Sequence, residues 1–152
     1  MTRNFSLLLS IIITASMSSV VDARLPSALE STMFRSALQD NTMQYLVQEN
    51  FSDINIVVSC AVLSLQWQSG RILGSSPSNP GGPDVPLLMY GMAEVTLFAA
   101  NEFPSDEVKR LTKKALEKFE QSEDFRETSM SVCSTLMVAP LRYVMQKNNL
   151  LR

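Results

Sequence analysis

The residues of this chain that could do chemistry are two cysteines and a few carboxylates, because the sequence contains no histidine. Without an imidazole the chain cannot form a serine-histidine triad, a cysteine-histidine dyad or a histidine-ligated zinc site. Cys60 and Cys133 therefore lack the base that activates a catalytic thiol. Glu94 is the one charge inside its predicted helix, but a lone carboxylate there more often pairs with a base or faces water. We expect no catalytic residue.

The remaining carboxylates have positions that a helical fold explains. Asp106-Glu107 and Glu123-Asp124 stand where helix N-termini favour negative charge. The sequence has no glycine-rich phosphate loop, no CxxC pair and no carboxylate cluster with metal-ligand spacing. We therefore expect no enzymatic activity, no cofactor and no metal ion.

The N-terminal segment has the pattern of an export signal. Arg3 precedes an apolar stretch over residues 5–21, and Val21-Asp22-Ala23 places small residues where signal peptidase cleaves. A membrane anchor is the alternative, but serine and threonine interrupt the stretch, and a span needs about 20 apolar residues. We predict a signal peptide at 1–23 and one mature domain at 24–152. The protein is then exported, periplasmic if its source is bacterial and otherwise secreted, with no membrane attachment after cleavage.

The two cysteines have a second interpretation once export is assumed. An even number of cysteines in an exported protein usually forms disulfides. A Cys60–Cys133 bond would close a long loop and stabilise the fold by about 4 kcal/mol on the chain-entropy model. The alternative is two buried free thiols that pack as small apolar side chains.

Charge and composition limit the class of partner. The net charge is −2, and removing residues 1–23 leaves it unchanged because that segment carries only Arg3 and Asp22. A nearly neutral chain has no electrostatic footprint for nucleic acid or anionic lipid. Aromatic residues are 7% of the chain and follow helical spacing instead of alternating with bases, so nucleic-acid stacking is not expected either.

The sequence predicts that the mature chain forms an all-helical bundle of five or six helices. Over residues 25–47, apolar residues recur at intervals of three and four, and Asp40-Asn41-Thr42 leaves open whether this is one helix or two. A nearly all-apolar helix should follow Ser52-Asp53 and end near Gly70 or Gly74. Another should begin at Asp84 with Pro86 in its first turn.

Two further helical segments are predicted in the C-terminal half. Ser105-Asp106-Glu107 should cap an amphipathic helix after Pro104. Ser122-Glu123-Asp124 should cap the last segment, which places Cys133 on its buried face. Pro140 lacks the N–H of a helix interior and should kink or split this segment.

The segment from Gly74 to Asp84 is the clearest loop, since three prolines and three glycines exclude a regular element. Long loops in compact domains are often functional, and a solvated connector is the alternative. The candidate partner-binding residues are Ser75, Ser76, Pro77, Ser78, Asn79, Pro80, Gly81, Gly82, Pro83 and Asp84.

Two stretches carry a family resemblance: Phe51-Ser-Asp-Ile-Asn-Ile-Val-Val-Ser-Cys60 and Met130-Ser-Val-Cys133-Ser-Thr-Leu-Met. They resemble the exported immunity proteins that protect bacteria from type VI secretion amidases. The resemblance implies a small periplasmic helical protein, a homodimer, and steric inhibition of a peptidoglycan amidase by a loop inserted into its catalytic cleft. The choice of residues 75–84 as that loop comes from loop composition.

A second hypothesis is an exported helical adaptor or structural protein with no toxin partner. The residues themselves are compatible with both. An amidase gene beside this one would favour the immunity protein, and its absence would favour the adaptor.

Overall fold

The computed structural model describes residues 28–70 and 85–151, and every regular element in those ranges is an α-helix. The seven helices are α1 (Ala28–Ala37), α2 (Asn41–Asn50), α3 (Ile54–Gln68), α4 (Val85–Ala100), α5 (Ser105–Gln121), α6 (Glu123–Leu136) and α7 (Val138–Lys147). The predicted all-helical fold is confirmed, whereas the predicted number of five or six helices is wrong. The predicted signal peptide at 1–23 and the predicted loop at 75–84 lie outside the described residues.

A break at Asp40 decides the alternative left open for the first predicted segment in favour of two helices. Asp40 has an extended backbone (φ −88°, ψ 134°) and stands at the N-cap of α2, so residues 28–47 form two helices. The side chain of Gln44 donates from Nε2 to the carbonyl oxygen of Leu38 at 2.9 Å. This bond satisfies a carbonyl group that the end of α1 would leave without a helical partner.

Pro140 splits the last predicted segment into two helices, which is one of the two outcomes predicted for this proline. In a continuous helix, the N–H of residue 140 would donate to the carbonyl of Leu136, the last residue of α6. Pro140 has no N–H, so this hydrogen bond cannot form. Met137 is fully buried at the break, and α7 then runs from Val138 with Pro140 in its first turn. A proline is tolerated there because first-turn N–H groups have few helical partners.

The core is built around α3 and α4, which pack against each other. Helix α4 also packs against α1, α2 and α7, while α3 also packs against α5 and α6. Neighbours on several sides explain why both central helices are apolar nearly all round. Two buried hydroxyls, Ser64 and Thr96, donate to carbonyls of their own helices, so they need no partner from another helix.

Helix α5 covers one side of this centre and has the amphipathic pattern predicted for it. Its apolar stripe is buried, while the lysines on the opposite face are exposed. The buried residues of the stripe are Val108, Leu111, Ala115, Leu116 and Phe119.

Two predicted helix starts are confirmed and one is shifted. Asp53 caps α3 by accepting from the N–H of Asn55, and Ser122 caps α6 by accepting from the N–H of Phe125. Helix α5 already includes Ser105, and the N-cap residue is Pro104. Pro104 can take this position because its extended backbone lets its carbonyl accept the first helical hydrogen bond.

Candidate functional site

The two predicted disulfide residues are brought together. The Sγ atoms of Cys60 on α3 and Cys133 on α6 lie 2.08 Å apart, and the Cα atoms are separated by 5.6 Å. Both residues are buried and stand 73 positions apart in the chain. The two sulfur atoms thus lie at disulfide-bonding distance, as the sequence predicts, and the pair links the central helix α3 to α6.

The candidate loop at 75–84 lies outside the described residues, but the helices on either side of it are described. Helix α3 ends at Gln68, with Gly70 following at φ +73°, a conformation that glycine adopts without strain. Helix α4 begins at Val85. The rings of Trp67 and Tyr90 meet edge to face with centroids 5.7 Å apart, so an aromatic contact joins the two helices close to where the loop leaves and returns.

Glu94, the one interior charge of α4, is paired with a base. Its Oε1 accepts from Nε of Arg35 on α1 at 3.1 Å, and its side chain is 11% exposed. Burial raises the pKa of the Glu94 carboxyl, and the Arg35 guanidinium acts in the opposite direction. The ion pair with Arg35 therefore accounts for the charge of Glu94 inside α4, and it links α4 to α1.

A polar cluster that the sequence did not indicate joins the start of α2 to α7. Asp40 accepts from the hydroxyl of Tyr143 at 3.0 Å and from the ammonium of Lys147. These hydrogen bonds, that from Lys147 first, hold the pKa of Asp40 below its ordinary value. The hydrogen bond from the Tyr143 hydroxyl to Asp40 raises the pKa of Tyr143. The partners are more than 100 positions apart, and no local pattern links them.

The described surface also contains an apolar groove between α2 and the C-terminal end of α4, which we call the α2/α4 groove. Its volume is about 210 Å³. Val47, Phe51 and Ala99 are buried and form its floor, while Phe98 and Phe103 are half-buried and form its walls.

The rim of the α2/α4 groove is polar. It consists of Gln48, Ser52 and Glu102, all exposed to solvent. Tyr45 is 60% exposed and precedes Gln48 by three residues on α2, so it lies on the same helical face. An apolar floor with a polar rim and an exposed tyrosine beside it is typical of a protein-binding surface.

Sequence reasoning missed this groove because residues far apart in the chain form it. Phe51 appears in the sequence analysis only through the family resemblance, and Phe98 is one of many apolar residues in the helix predicted after Asp84. The available signal was Phe103, an aromatic residue in the connection between α4 and α5, where turn residues are usually small or polar.

The described part of the chain shows no cluster of three or more His, Cys, Asp or Glu residues placed to hold a metal ion. None of the described helices is long and apolar enough to cross a membrane. Comparison with known proteins finds no matching family model, no matching curated protein and no matching solved structure.

Proposed function

We propose that this protein is an exported binding protein without catalytic activity, and that it inhibits a type VI peptidoglycan amidase by occupying its catalytic cleft. The observation that carries the proposal is the covalent tie between α3 and α6 at the centre of the fold. A scaffold held in this way loses little conformational freedom on binding, so more of the contact energy appears as affinity.

The geometry at the ends of α3 and α4 supports residues 75–84 as the inhibitory segment. The segment connects the two central helices, which pack against each other and are joined near this end by the Trp67–Tyr90 contact. A segment attached to a fixed base at both ends has less entropy to lose on binding. Its three prolines lower that cost further because their φ angles are already restricted.

The test replaces residues 75–83 by a short linker and measures both folding and inhibition. Inhibition is the decrease in peptidoglycan cleavage by the type VI amidases of the source organism when the chain is added. We expect the shortened protein to keep its helical circular dichroism and cooperative melting but to inhibit at least tenfold more weakly. A matched control replaces the same residues with glycine and serine at unchanged length, and we expect an intermediate loss.

The outcomes separate the two hypotheses. If the shortened protein inhibits as strongly as the unchanged chain, residues 75–84 are not the inhibitory segment. If the unchanged chain inhibits none of the amidases and binds none of them, the immunity function is rejected. A protein partner that is not an amidase would then support the exported adaptor.

A further inference from the structure

The size of the α2/α4 groove indicates what can enter it. Pockets that hold whole small ligands usually measure about 300 to 1,000 Å³, and this groove measures about 210 Å³. It is large enough for one bulky side chain. Protein interfaces commonly place such an anchor in a desolvated pocket surrounded by a polar rim, and a floor of Val47, Phe51 and Ala99 below a polar rim provides that arrangement.

The two half-buried phenylalanines favour an aromatic anchor. Phe98 and Phe103 line the groove from the end of α4 and from the turn that follows it. Aromatic rings packed edge to face or offset gain about 0.5 to 1.5 kcal/mol beyond the area they bury. An indole or phenol ring that contacts both walls is therefore favoured over an aliphatic chain of equal size.

The charge around the groove is of one sign. Residues 41–70 and 85–104 contain no lysine or arginine, and no base lines the groove among the described residues. Glu102 lies on the rim and forms no ion pair with a described residue. Exposed Glu49 and Asp53 each directly follow a rim residue. This local field attracts a cation and opposes an acidic partner.

We propose that the α2/α4 groove is a docking site for a segment of a partner protein, in which an aromatic side chain enters between Phe98 and Phe103. A lysine or arginine of the same segment then lies beside Glu102. This docking site deepens the protein-binding function proposed above, because it assigns a second contact surface on the chain. It does not depend on residues 75–84.

The test uses two small probes that share the ring and differ in charge. Tryptamine carries an indole and an ammonium group, whereas indole-3-propionate carries the same indole and a carboxylate. Each is titrated into ¹⁵N-labelled protein purified after expression of the full chain, and amide shifts are followed by NMR. We expect tryptamine to shift Gln48, Phe51 and Glu102 with at least threefold higher affinity than indole-3-propionate.

A charge-reversing variant distinguishes docking from a nonspecific effect. In Glu102→Lys we expect the preference for tryptamine to shrink at least threefold, because the base opposes the ammonium while Glu49 and Asp53 keep part of the negative field. Glu102 is exposed, so the variant should fold, and its spectrum reports this directly. Glu127→Lys on α6 is the matched control, since Glu127 is also exposed and does not line the groove; it should keep the tryptamine preference.

Several outcomes would overturn the docking site. Equal affinity for the two indoles, or shifts located away from the groove, would show that it does not select an aromatic cation. Concentration-dependent shifts at the groove without a probe would indicate that a second copy of the chain covers it. Shifts that differ between the processed and unprocessed chain would assign it to residues 1–23. Amidase inhibition is measured separately, so none of these results decides the role of residues 75–84.

Discussion

At the scale of single residues, the pKa values of two carboxyl groups are shifted in opposite directions. Asp40 accepts hydrogen bonds from Lys147 and Tyr143, and its pKa is lowered. Glu94 is largely buried on α4, and its pKa is raised even though Arg35 pairs with it. The first environment favours the ionised carboxylate, whereas the second disfavours it because burial removes water from the charge.

These directions predict how stability depends on pH. The folded pKa of Asp40 lies below the ordinary value of 3.8, so its stabilisation is complete above that value and is lost as pH falls through the folded pKa. We expect Asp40→Asn to lower the denaturation midpoint at neutral pH, and the difference from the unchanged protein to disappear in acid. Urea titrations from pH 7 to pH 2 measure this.

Glu94→Gln serves as the contrasting variant in the same titrations. Because the folded pKa of Glu94 is raised, the stability linked to this group is present below its ordinary pKa and is lost as pH rises through the folded pKa. The substitution removes a partly buried charge and should not lower stability at neutral pH. A deficit in Asp40→Asn that is equal at every pH would contradict this account.

At the scale of the helices, the sequence predicts best where one face alone is buried. Helix α5 follows from its apolar stripe and exposed lysines. Helices α3 and α4 have no such stripe because the core surrounds them, so their length and caps had to identify them. The break at Asp40 stayed undecided because the Asp40 side chain makes no capping hydrogen bond to α2. It accepts from Tyr143 on α7 instead, and a contact so distant in the chain leaves no local trace.

The α2/α4 groove could not be predicted from the sequence for a similar reason. Its two sides come from segments about fifty positions apart, and its existence depends on how α2 and α4 pack. Apolar spacing indicates that Val47 and Ala99 belong to buried faces, but it does not indicate that a gap remains above them. Whether a gap remains depends on the helix packing angles and the side-chain volumes, and the spacing of apolar residues specifies neither.

The approach of α1 to α4 gives a prediction at this scale. A Cβ atom at Gly91 would lie 2.2 Å from Cζ of Phe34, and Phe34 is fully buried. Replacing a helical glycine by alanine usually stabilises by about 1 kcal/mol, but overpacking costs about 1 to 3 kcal/mol. We expect Gly91→Ala to lower the free energy of unfolding, by up to about 2 kcal/mol once the helical gain is subtracted from the overpacking cost, in chemical denaturation.

Phe34→Leu tests the cause of that loss. If the clash with the ring is responsible, the double variant should be more stable than the sum of the two single losses predicts. Simple additivity would show that Gly91 is needed for a reason other than the close approach of Phe34.

At the scale of the whole molecule, the proposed export, the disulfide-linked helical core and the proposed binding function depend on one another. The joined cysteines connect the central helix α3 to α6, and an oxidising compartment is what makes such a bond persist. The predicted signal at 1–23 would bring the chain to that compartment. Each property supports the others, so evidence against export would also weaken the disulfide and the proposed periplasmic partner.

The intact mass of the protein purified from its native source, under conditions that block thiol exchange, tests this claim most directly. We predict the mass of residues 24–152 less two hydrogen atoms, and a single cross-linked peptide pair containing Cys60 and Cys133 after proteolysis. A chain that retains residues 1–23, or one whose two cysteines both react with a thiol reagent before reduction, would contradict the account.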